Sequence, residues 1–206
     1  MSARPMARPP DPDPQTAPSP VTKEMLLLAA TARGDAQAFR TLVDAHLGAM
    51  LGIARRMLGD AAEAEDIAQE AMVRLWRNAA TLELGPGGLK PWLRRVVSNL
   101  AIDRIRSSRN TSVVAEVPEQ PTPATQSSGL ESRELSVRVQ AALSALPERQ
   151  RMALVLFHFE GLSQIEVGES LGVSDEAVES LLARARRTLK AALKDEWQQL
   201  LPDALD

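Results

Sequence analysis

Residues 163–186 read SQIEVGESLGVSDEAVESLLARAR, and this stretch carries the local signals of two short helices joined by a tight turn. Ser163 followed by Glu166 forms a capping box, which starts the first helix. Gly172 supplies a left-handed residue at the end of that helix, and Ser174 caps the second. The pattern predicts a helix-turn-helix, and the alternative is a generic pair of short helices in a bundle.

The apolar spacing supports the helix-turn-helix, because two crossed helices need contacts at these positions, and Gly168 allows their close approach. The residues expected in the contacts are Ile165, Leu171, Val173, Val178 and Leu181. The second helix of such a motif enters the major groove with its N-terminal half at base edges, while basic residues further on suit phosphates. The base-edge half presents Asp175, Glu176, Ala177, Glu179 and Ser180, and the basic half presents Arg184, Arg186, Arg187 and Lys190.

Two alternatives stay open for the acidic residues of that helix. Asp175 and Glu176 favour the helix dipole, so they are equally consistent with a simple, well-capped first turn. The carboxylate of Glu179 can accept a hydrogen bond from cytosine N4, or it can pair with nearby arginines.

A second unusual stretch is residues 90–109, KPWLRRVVSNLAIDRIRSSR, with six basic residues against Asp103 in a chain of net charge −3. At 100° per residue one helical stripe holds Trp92, Arg95, Asn99, Asp103 and Arg106. Arginines that follow a backbone, beside a ring or amide for an unstacked base, suit single-stranded nucleic acid. The alternative is an amphipathic core helix with a solvated basic face.

Composition excludes several other classes. The chain has no cysteine, which excludes disulfides, Cys-ligated zinc and a Cys nucleophile, and it has only two histidines. His46 and His158 are expected to be packed, hydrogen-bonded side chains. Asp66 and Glu70 have the spacing of a carboxylate metal pair but lack partner ligands. We therefore expect no enzyme, no cofactor and no metal.

The organisation along the chain indicates an all-α protein, because helical periodicity recurs and no alternating strand pattern is present. A helix is expected over 36–58, ended by Gly59, with Asp60 and Glu63 starting the next helix. We expect two small helical domains joined by a flexible linker, the C-terminal one carrying the helix-turn-helix. The predicted segments are a disordered Pro-rich leader at 1–22, a first domain at 23–109, a linker at 110–130, a second domain at 131–197 and a tail at 198–206.

No window reaches the roughly 18 apolar residues that a membrane-spanning helix needs, so we expect a cytoplasmic protein without membrane insertion.

Three segments, in order, resemble the extracytoplasmic-function (ECF) group of bacterial RNA polymerase sigma factors. AEDIAQEAMVRLWR (64–77) resembles the region that binds the polymerase clamp helices. KPWLRRVVSNLAIDRIRS (90–107) resembles the segment that melts and reads the minus-ten promoter element. The stretch from LPERQRM to RRTLK (146–190) resembles the domain that reads the minus-thirty-five element. The resemblance covers about residues 24 to 194.

The resemblance implies three sets of site residues. The core-polymerase set is Asp66, Ile67, Gln69, Glu70 and Trp76. The minus-ten set is Trp92, Arg94, Arg95, Asn99, Asp103, Arg104 and Arg106, with the loop TLELGPGGL (81–89) shaping a pocket for a flipped base. The minus-thirty-five set is Ser174, Ala177, Glu179, Ser180, Arg184, Arg186 and Arg187. Many family members carry a basic residue at the positions of Glu179 and Leu181, so this recognition helix is less basic than is usual.

The function implied by the resemblance is that of a sigma factor, which binds core RNA polymerase and directs promoter recognition, melting and transcription initiation. Its expected partners are core polymerase, promoter DNA as duplex and as melted non-template strand, and an anti-sigma protein that controls a stress response. The alternative is a helix-turn-helix regulator that binds palindromic DNA as a dimer without polymerase.

Overall fold

The computed structural model describes residues 19–112 and 130–193, with side chains at 19–109 and 137–193, and every regular element in these ranges is helical. The first domain contains α1 (Pro20–Ala32), α2 (Ala36–Leu58), α3 (Ala61–Asn78) and α4 (Lys90–Ser112). The second contains α5 (Leu130–Ala145), α6 (Glu148–Leu154), a π-helical turn (Val155–Phe159), α7 (Gln164–Leu171) and α8 (Asp175–Ala192). The all-α prediction is confirmed.

The helix ends differ from the predicted segment boundaries by a few residues. Helix α1 starts at Pro20, ahead of the predicted domain start at 23, because the Ser19 hydroxyl caps it and proline suits a first helical turn. Helix α4 continues to Ser112, past the predicted end at 109. Of the leader predicted to be disordered at 1–22, residues 1–18 lie outside the described residues and residues 20–22 belong to α1. Residues 113–129 of the linker predicted at 110–130, and the predicted tail at 198–206, also lie outside the described residues.

The predicted caps of the first domain form as expected, with one exception. Gly59 ends α2 in the left-handed region at φ 75°. Asp60 accepts a hydrogen bond from the Glu63 backbone at 2.8 Å. The Glu63 side chain does not complete a capping box, and its carboxylate instead lies 3.4 Å from Arg104 of α4. This ion pair joins α3 to α4.

Each domain buries large apolar side chains, each of which stabilises the fold by roughly 1.5–3 kcal/mol. The largest fully buried ones in the first domain are Leu42, Met50, Ile53, Met57, Leu75, Leu89, Leu93 and Val97, and in the second Leu146, Met152, Leu156 and Leu182. The two domains also contact each other, since α6 and α7 pack along α4. Among the described helices, none is long and apolar enough to cross a membrane.

Candidate nucleic-acid interface

Helix α4 has a buried apolar side and an exposed polar side. Its core residues are Leu93, Val97, Ala101, Ile102 and Ile105. Arg95, Asn99, Asp103 and Arg106 are exposed, as the predicted stripe requires. Trp92, at the start of the stripe, is half-buried and packs against the core, so only part of its ring surface can meet a base.

Ion pairs occupy part of the positive charge on α4. Arg104 is the partner of Glu63 on α3, so this predicted minus-ten residue also has a structural task within the first domain. Arg106 and Arg109 lie 2.7 Å and 3.4 Å from the two carboxylate oxygens of Glu148, at the start of α6 in the second domain.

The loop before α4 is anchored by a single carboxylate from α1. Glu24 Oε2 accepts the Leu89 backbone N–H at 2.7 Å, and Oε1 lies 3.1 Å from His46 Nε2. Gly88 has φ 67°, and a Cβ there would clash with the Glu24 carboxylate, so the loop needs glycine at this point. The start of α4 is therefore held against α1 and α2.

The exposed face of α3 carries most of the predicted polymerase-binding residues. Asp66, Gln69 and Trp76 are exposed, and Glu70 is half-buried beside Arg74, at 3.0 Å. The Trp76 ring is pinned edge-on to the Phe39 ring of α2, with centroids 5.0 Å apart. Val73 is also exposed, which adds an apolar side chain to this face.

Ile67 does not belong to that face. Its side chain is only 4% exposed and lies in the core of the first domain. The residue packs beneath the exposed face, and its assignment to the polymerase-binding set stays a prediction.

The helix-turn-helix forms with the predicted local structure. Ser163 and Glu166 make a reciprocal capping box, Gly172 ends α7 at φ 64°, and Ser174 Oγ accepts the Ala177 N–H at 3.4 Å. A Cβ on Gly168 would lie 2.8 Å from the Val173 carbonyl oxygen. Only glycine therefore permits this approach of turn to helix.

One predicted contact of the motif is wrong. Ile165 is 59% exposed, whereas Val167 is fully buried. Residues two positions apart in a helix are separated by about 200° around its axis, so Ile165 and Val167 lie on opposite sides of α7. Ile165 is free of the interhelical contact that its apolar character suggested.

Helix α8 buries Val178, Leu182, Ala185 and Leu189 and exposes Glu179, Ser180, Arg184 and Arg187. The predicted residue Ala177 is half-buried. The exposed residues are the ones available to DNA, with acid in the N-terminal half of the helix and arginine in the C-terminal half.

Arg186 differs from its neighbouring arginines because it is turned into the second domain. Its guanidinium lies 5.7 Å from the centre of the Phe157 ring, and Nη2 lies 3.4 Å from His158 Nε2. Burial, and then the Arg186 charge, lower the pKa of His158 below its usual value. This position directs the half-buried guanidinium at Phe157 and His158, and the assignment of Arg186 to the minus-thirty-five set stays a prediction.

Sequence reasoning missed Arg151, which is only 4% exposed. It donates to the Ser144 carbonyl in its own domain and, at 2.5 Å, to the Met57 carbonyl at the end of α2. Burial lowers its pKa to about 10, so the guanidinium stays charged at neutral pH. Nothing in its spacing distinguishes it from the exposed arginines, since its partners are carbonyl groups distant in sequence.

Within the described residues, no three His, Cys, Asp or Glu side chains are grouped so as to hold a metal ion.

Comparison with known proteins identifies both domains. The family model for sigma-70 region 2 matches residues 42–111, which include α3 and α4. The model for sigma-70 region 4 matches residues 136–189, which include the helix-turn-helix.

Several proteins similar in sequence to this chain are named as RNA polymerase sigma factors. The ECF RNA polymerase sigma factor SigW of Bacillus subtilis is 34% identical over 182 residues, covering 79% of this chain and 92% of SigW. SigL of Mycobacterium tuberculosis is 30% identical over 176 residues, covering 83% of this chain and 97% of SigL. A probable RNA polymerase sigma factor of Xanthomonas campestris, RfaY, is 35% identical over 175 residues, covering 81% of this chain but 43% of RfaY.

Among solved structures, CnrH in complex with the cytosolic domain of CnrY superposes with a TM-score of 0.59 at 28% identity, covering 84% of this chain and 97% of CnrH. The sigma factor RpoE of Bartonella quintana, solved with the anti-sigma factor NepR, gives 0.61 at 24% identity, covering 76% of this chain and 97% of RpoE, and supports the fold. The chain belongs to the ECF group of RNA polymerase sigma factors.

Proposed function

We propose that the chain binds core RNA polymerase through the exposed face of α3 and reads promoter DNA at two places. Helix α4 takes the melted non-template strand of the minus-ten element, and α8 reads the minus-thirty-five element as duplex. The observation that carries this proposal is the order, within one chain, of an exposed α3 face, an exposed basic stripe and a helix-turn-helix inside matched sigma regions.

The proposed polymerase surface combines acid with apolar area. Asp66, Gln69 and Glu70 supply polar contacts, and the partly exposed Val73 and Trp76 supply the apolar area. A rigid, partly exposed tryptophan is a common anchor in protein interfaces. The contact between the Trp76 and Phe39 rings holds that anchor in place before binding.

The proposed minus-ten surface is the exposed side of α4. Arg94, Arg95 and Arg106 follow the strand's phosphates, while Asn99 and the accessible part of Trp92 meet an unstacked base. Flipping a base costs a few kcal/mol, and stacking on a ring returns about 1–3 kcal/mol per base. Asp103 interrupts the positive stripe, which suits a hydrogen bond to a base amino group better than a phosphate contact.

The proposed minus-thirty-five surface is the exposed side of α8 and its cap. Ser174, Ala177, Glu179 and Ser180 lie in the half that faces base edges. Arg184 and Arg187 take phosphates, and Arg186 contributes by holding the Phe157–His158 segment beneath the helix.

In this proposal core polymerase also strengthens the binding of the chain to DNA. The affinity of a free protein for duplex DNA depends on the number of phosphates it neutralises. The chain is acidic overall, with net charge −3, so each DNA-reading module alone is weak. Core polymerase holds both modules on one promoter, and their effective concentration then makes the binding strong. The polymerase also supplies the chemistry, so the chain itself acts as an initiation factor in the cytoplasm and catalyses no reaction.

Control by an anti-sigma protein, in a stress response, is part of the proposal. It rests on membership of the family, and CnrH was solved with a bound protein segment, the cytosolic domain of CnrY.

The test is to mix the purified chain with sigma-free bacterial core polymerase, measure co-elution, and transcribe a library of upstream fragments from the source genome. Co-elution with new promoter-specific transcripts is the expected result. Asp66→Arg reverses a charge on the proposed α3 surface and should abolish co-elution while leaving the helical content unchanged. A chain that elutes alone and binds palindromic duplex DNA as a dimer would support the regulator instead.

A further inference from the structure

The second domain lies along the helix that the proposed function assigns to the minus-ten strand. Glu148, at the first position of α6, holds both Arg106 and Arg109 of α4, at 2.7 Å and 3.4 Å. The Glu148 side chain is 16% exposed, and the two arginines are about half exposed. The Arg106 hydrogen bond is the main cause that lowers the pKa of Glu148, so this carboxylate is ionised at neutral pH.

The N-terminal half of α4 is flanked as well. Helix α7 packs against α4, and a Cβ built on Gly172, in the helix-turn-helix turn, would lie 4.0 Å from Arg95 Nη2. Hydrogen bonds from Ser163 are the main cause that lowers the pKa of Glu166 in α7, and the positive charge of Arg94 lowers it further. The second domain therefore meets both ends of the basic segment.

Two further contacts hold the domains together away from α4. Arg151 of the second domain donates to the Met57 carbonyl of the first. Arg56 of the first domain lies 3.6 Å from Glu160 and 5.0 Å from the centre of the Phe159 ring. Separating the domains would break this hydrogen bond, and water would then have to solvate the Arg151 guanidinium and the Met57 carbonyl.

This arrangement cannot engage both promoter elements. Their centres are about 25 base pairs apart, which is ~85 Å at 3.4 Å per base pair. A compact body of about 160 residues, the size of the described part of the chain, has a radius of gyration of about 15 Å. The chain between Ser112 and Leu130 can span up to ~60 Å, so it permits the domains to separate.

We propose that the contacts between the second domain and α4 form an autoinhibited state of the free sigma factor, with Glu148 as a latch on Arg106 and Arg109. The Arg106 guanidinium, which the proposed function assigns to a DNA phosphate, cannot serve that phosphate and the Glu148 carboxylate together, and Arg109 belongs to the same basic segment. Core polymerase opens the molecule by binding each domain at a separate place. This inference rests on the proposed function, because it concerns the access of DNA to the proposed minus-ten surface.

The conformation can be measured on the full chain because it contains no native cysteine. Ala36→Cys on α2 and Thr188→Cys on α8 are exposed positions for a pair of spin labels. Pulsed electron–electron spectroscopy should give one narrow distance distribution for the free protein, at the separation in the structure. Glu148→Arg, or added core polymerase, should shift the distribution to longer distances.

The latch is tested separately by the affinity of the free protein for a fluorescent 20-nucleotide single-stranded DNA of mixed sequence. Glu148→Gln should raise that affinity about three- to tenfold, the range expected for releasing two partly exposed ion pairs. Glu65→Gln is the matched control. It removes the same charge, and the Glu65–Arg55 pair that it breaks, at 3.3 Å, lies within the first domain. Glu65→Gln should raise the affinity only by the small amount that the loss of one negative charge accounts for. It should leave the distance between the two spin labels unchanged.

Three results would overturn the inference. These are a broad distance distribution in the wild-type protein, a closed distribution that survives Glu148→Arg, or equal affinities of Glu148→Gln and Glu65→Gln for the oligonucleotide. If any of these occurs while the wild type still co-elutes with polymerase and directs transcription, the proposed function stands without autoinhibition. A closed protein that never binds polymerase would instead refute the proposed function.

Discussion

The two helices proposed to face DNA, α4 and α8, differ in where they place their charges. The segment 90–109 has six bases and one acid, Asp103, so positive charge accompanies nearly its whole length. Helix α8 begins with Asp175 and Glu176 and becomes basic only in its second half. Helix α4 is therefore suited to a continuous strand of phosphates, whereas α8 can bind phosphates at one end only.

Folding explains part of the difference. Acids in the first turn of α8 stabilise it through the helix dipole and accompany the Ser174 cap, so the local stability of this helix and its attraction to DNA oppose each other. Helix α4 has no acid in its first turn and is held instead by the Glu24 contact to Leu89 and by its buried face. Its exposed side is therefore free to be basic.

The largest effect expected from this comparison follows a charge reversal on α4. Arg95→Glu should lower promoter-specific transcription by about tenfold to a hundredfold, as for the loss of a direct nucleic-acid contact of ~1–3 kcal/mol. Co-elution with core polymerase should be retained, because Arg95 lies outside the α3 face. A charge reversal in α8, Glu179→Lys, should lower transcription less, because the phosphate contacts proposed for that helix lie at its C-terminal end. Equal losses in the two variants would contradict the division between the helices.

A second variant tests whether α8 depends on the tight turn before it. Gly168→Ala places a Cβ 2.8 Å from the Val173 carbonyl, and overpacking of this kind typically costs about 1–3 kcal/mol. Urea unfolding should show this loss. Gly48→Ala in α2 is the control, since nothing lies within 4 Å of its Cβ, and it should stabilise the first domain by roughly 0.5–1 kcal/mol. A Gly168→Ala protein as stable as the wild type would show that the turn tolerates a side chain.

A third prediction concerns salt. The double variant Arg184→Ala and Arg187→Ala should reduce the slope of log affinity against log salt by about two for duplex promoter DNA bound by the holoenzyme. The reason is that each arginine is assigned one phosphate. The Arg186→Ala slope should stay close to that of the wild type, because the guanidinium is directed at Phe157 and His158. An equal change in slope for Arg186→Ala would return it to the DNA surface.

The smallest expected effect is on the pH dependence of stability, to which each domain contributes one histidine, His46 or His158. Burial lowers the pKa of both His46 and His158 below the ordinary 6.5, against Glu24 in the first case and together with Arg186 in the second. The unfolded chain therefore takes up protons more readily below about pH 6.5, and stability should fall as the pH drops from there towards the lowered values. His158→Gln should flatten this fall in urea unfolding at pH 7.5 and 5.5. An unchanged slope would show that His158 is not involved.

The sequence was sufficient for features that depend on neighbouring residues. The Ser163–Glu166 capping box, the left-handed Gly172, the close approach at Gly168 and the helix over 36–58 all follow from local chemistry, and all are confirmed. The exposed stripe of α4 also follows from helical spacing.

The sequence was insufficient where distant residues decide the outcome. Ile67 and Ile165 have the same side chain, but the fold buries the first and exposes the second. Arg186 and Arg187 are adjacent, and only the packing of Phe157 and His158 distinguishes their roles. The contact of Arg151 with Met57 joins residues 94 positions apart and depends on the relative placement of two domains.

The most direct test of the central claim is a comparison of binding to a labelled fragment of the protein's own promoter, with and without core polymerase, at about 0.15 M salt. The free chain should bind weakly and without sequence preference, whereas the mixture should bind tightly and specifically to the promoter and protect both elements in a footprint. Tight, specific binding by the free chain, unchanged by polymerase, would contradict it.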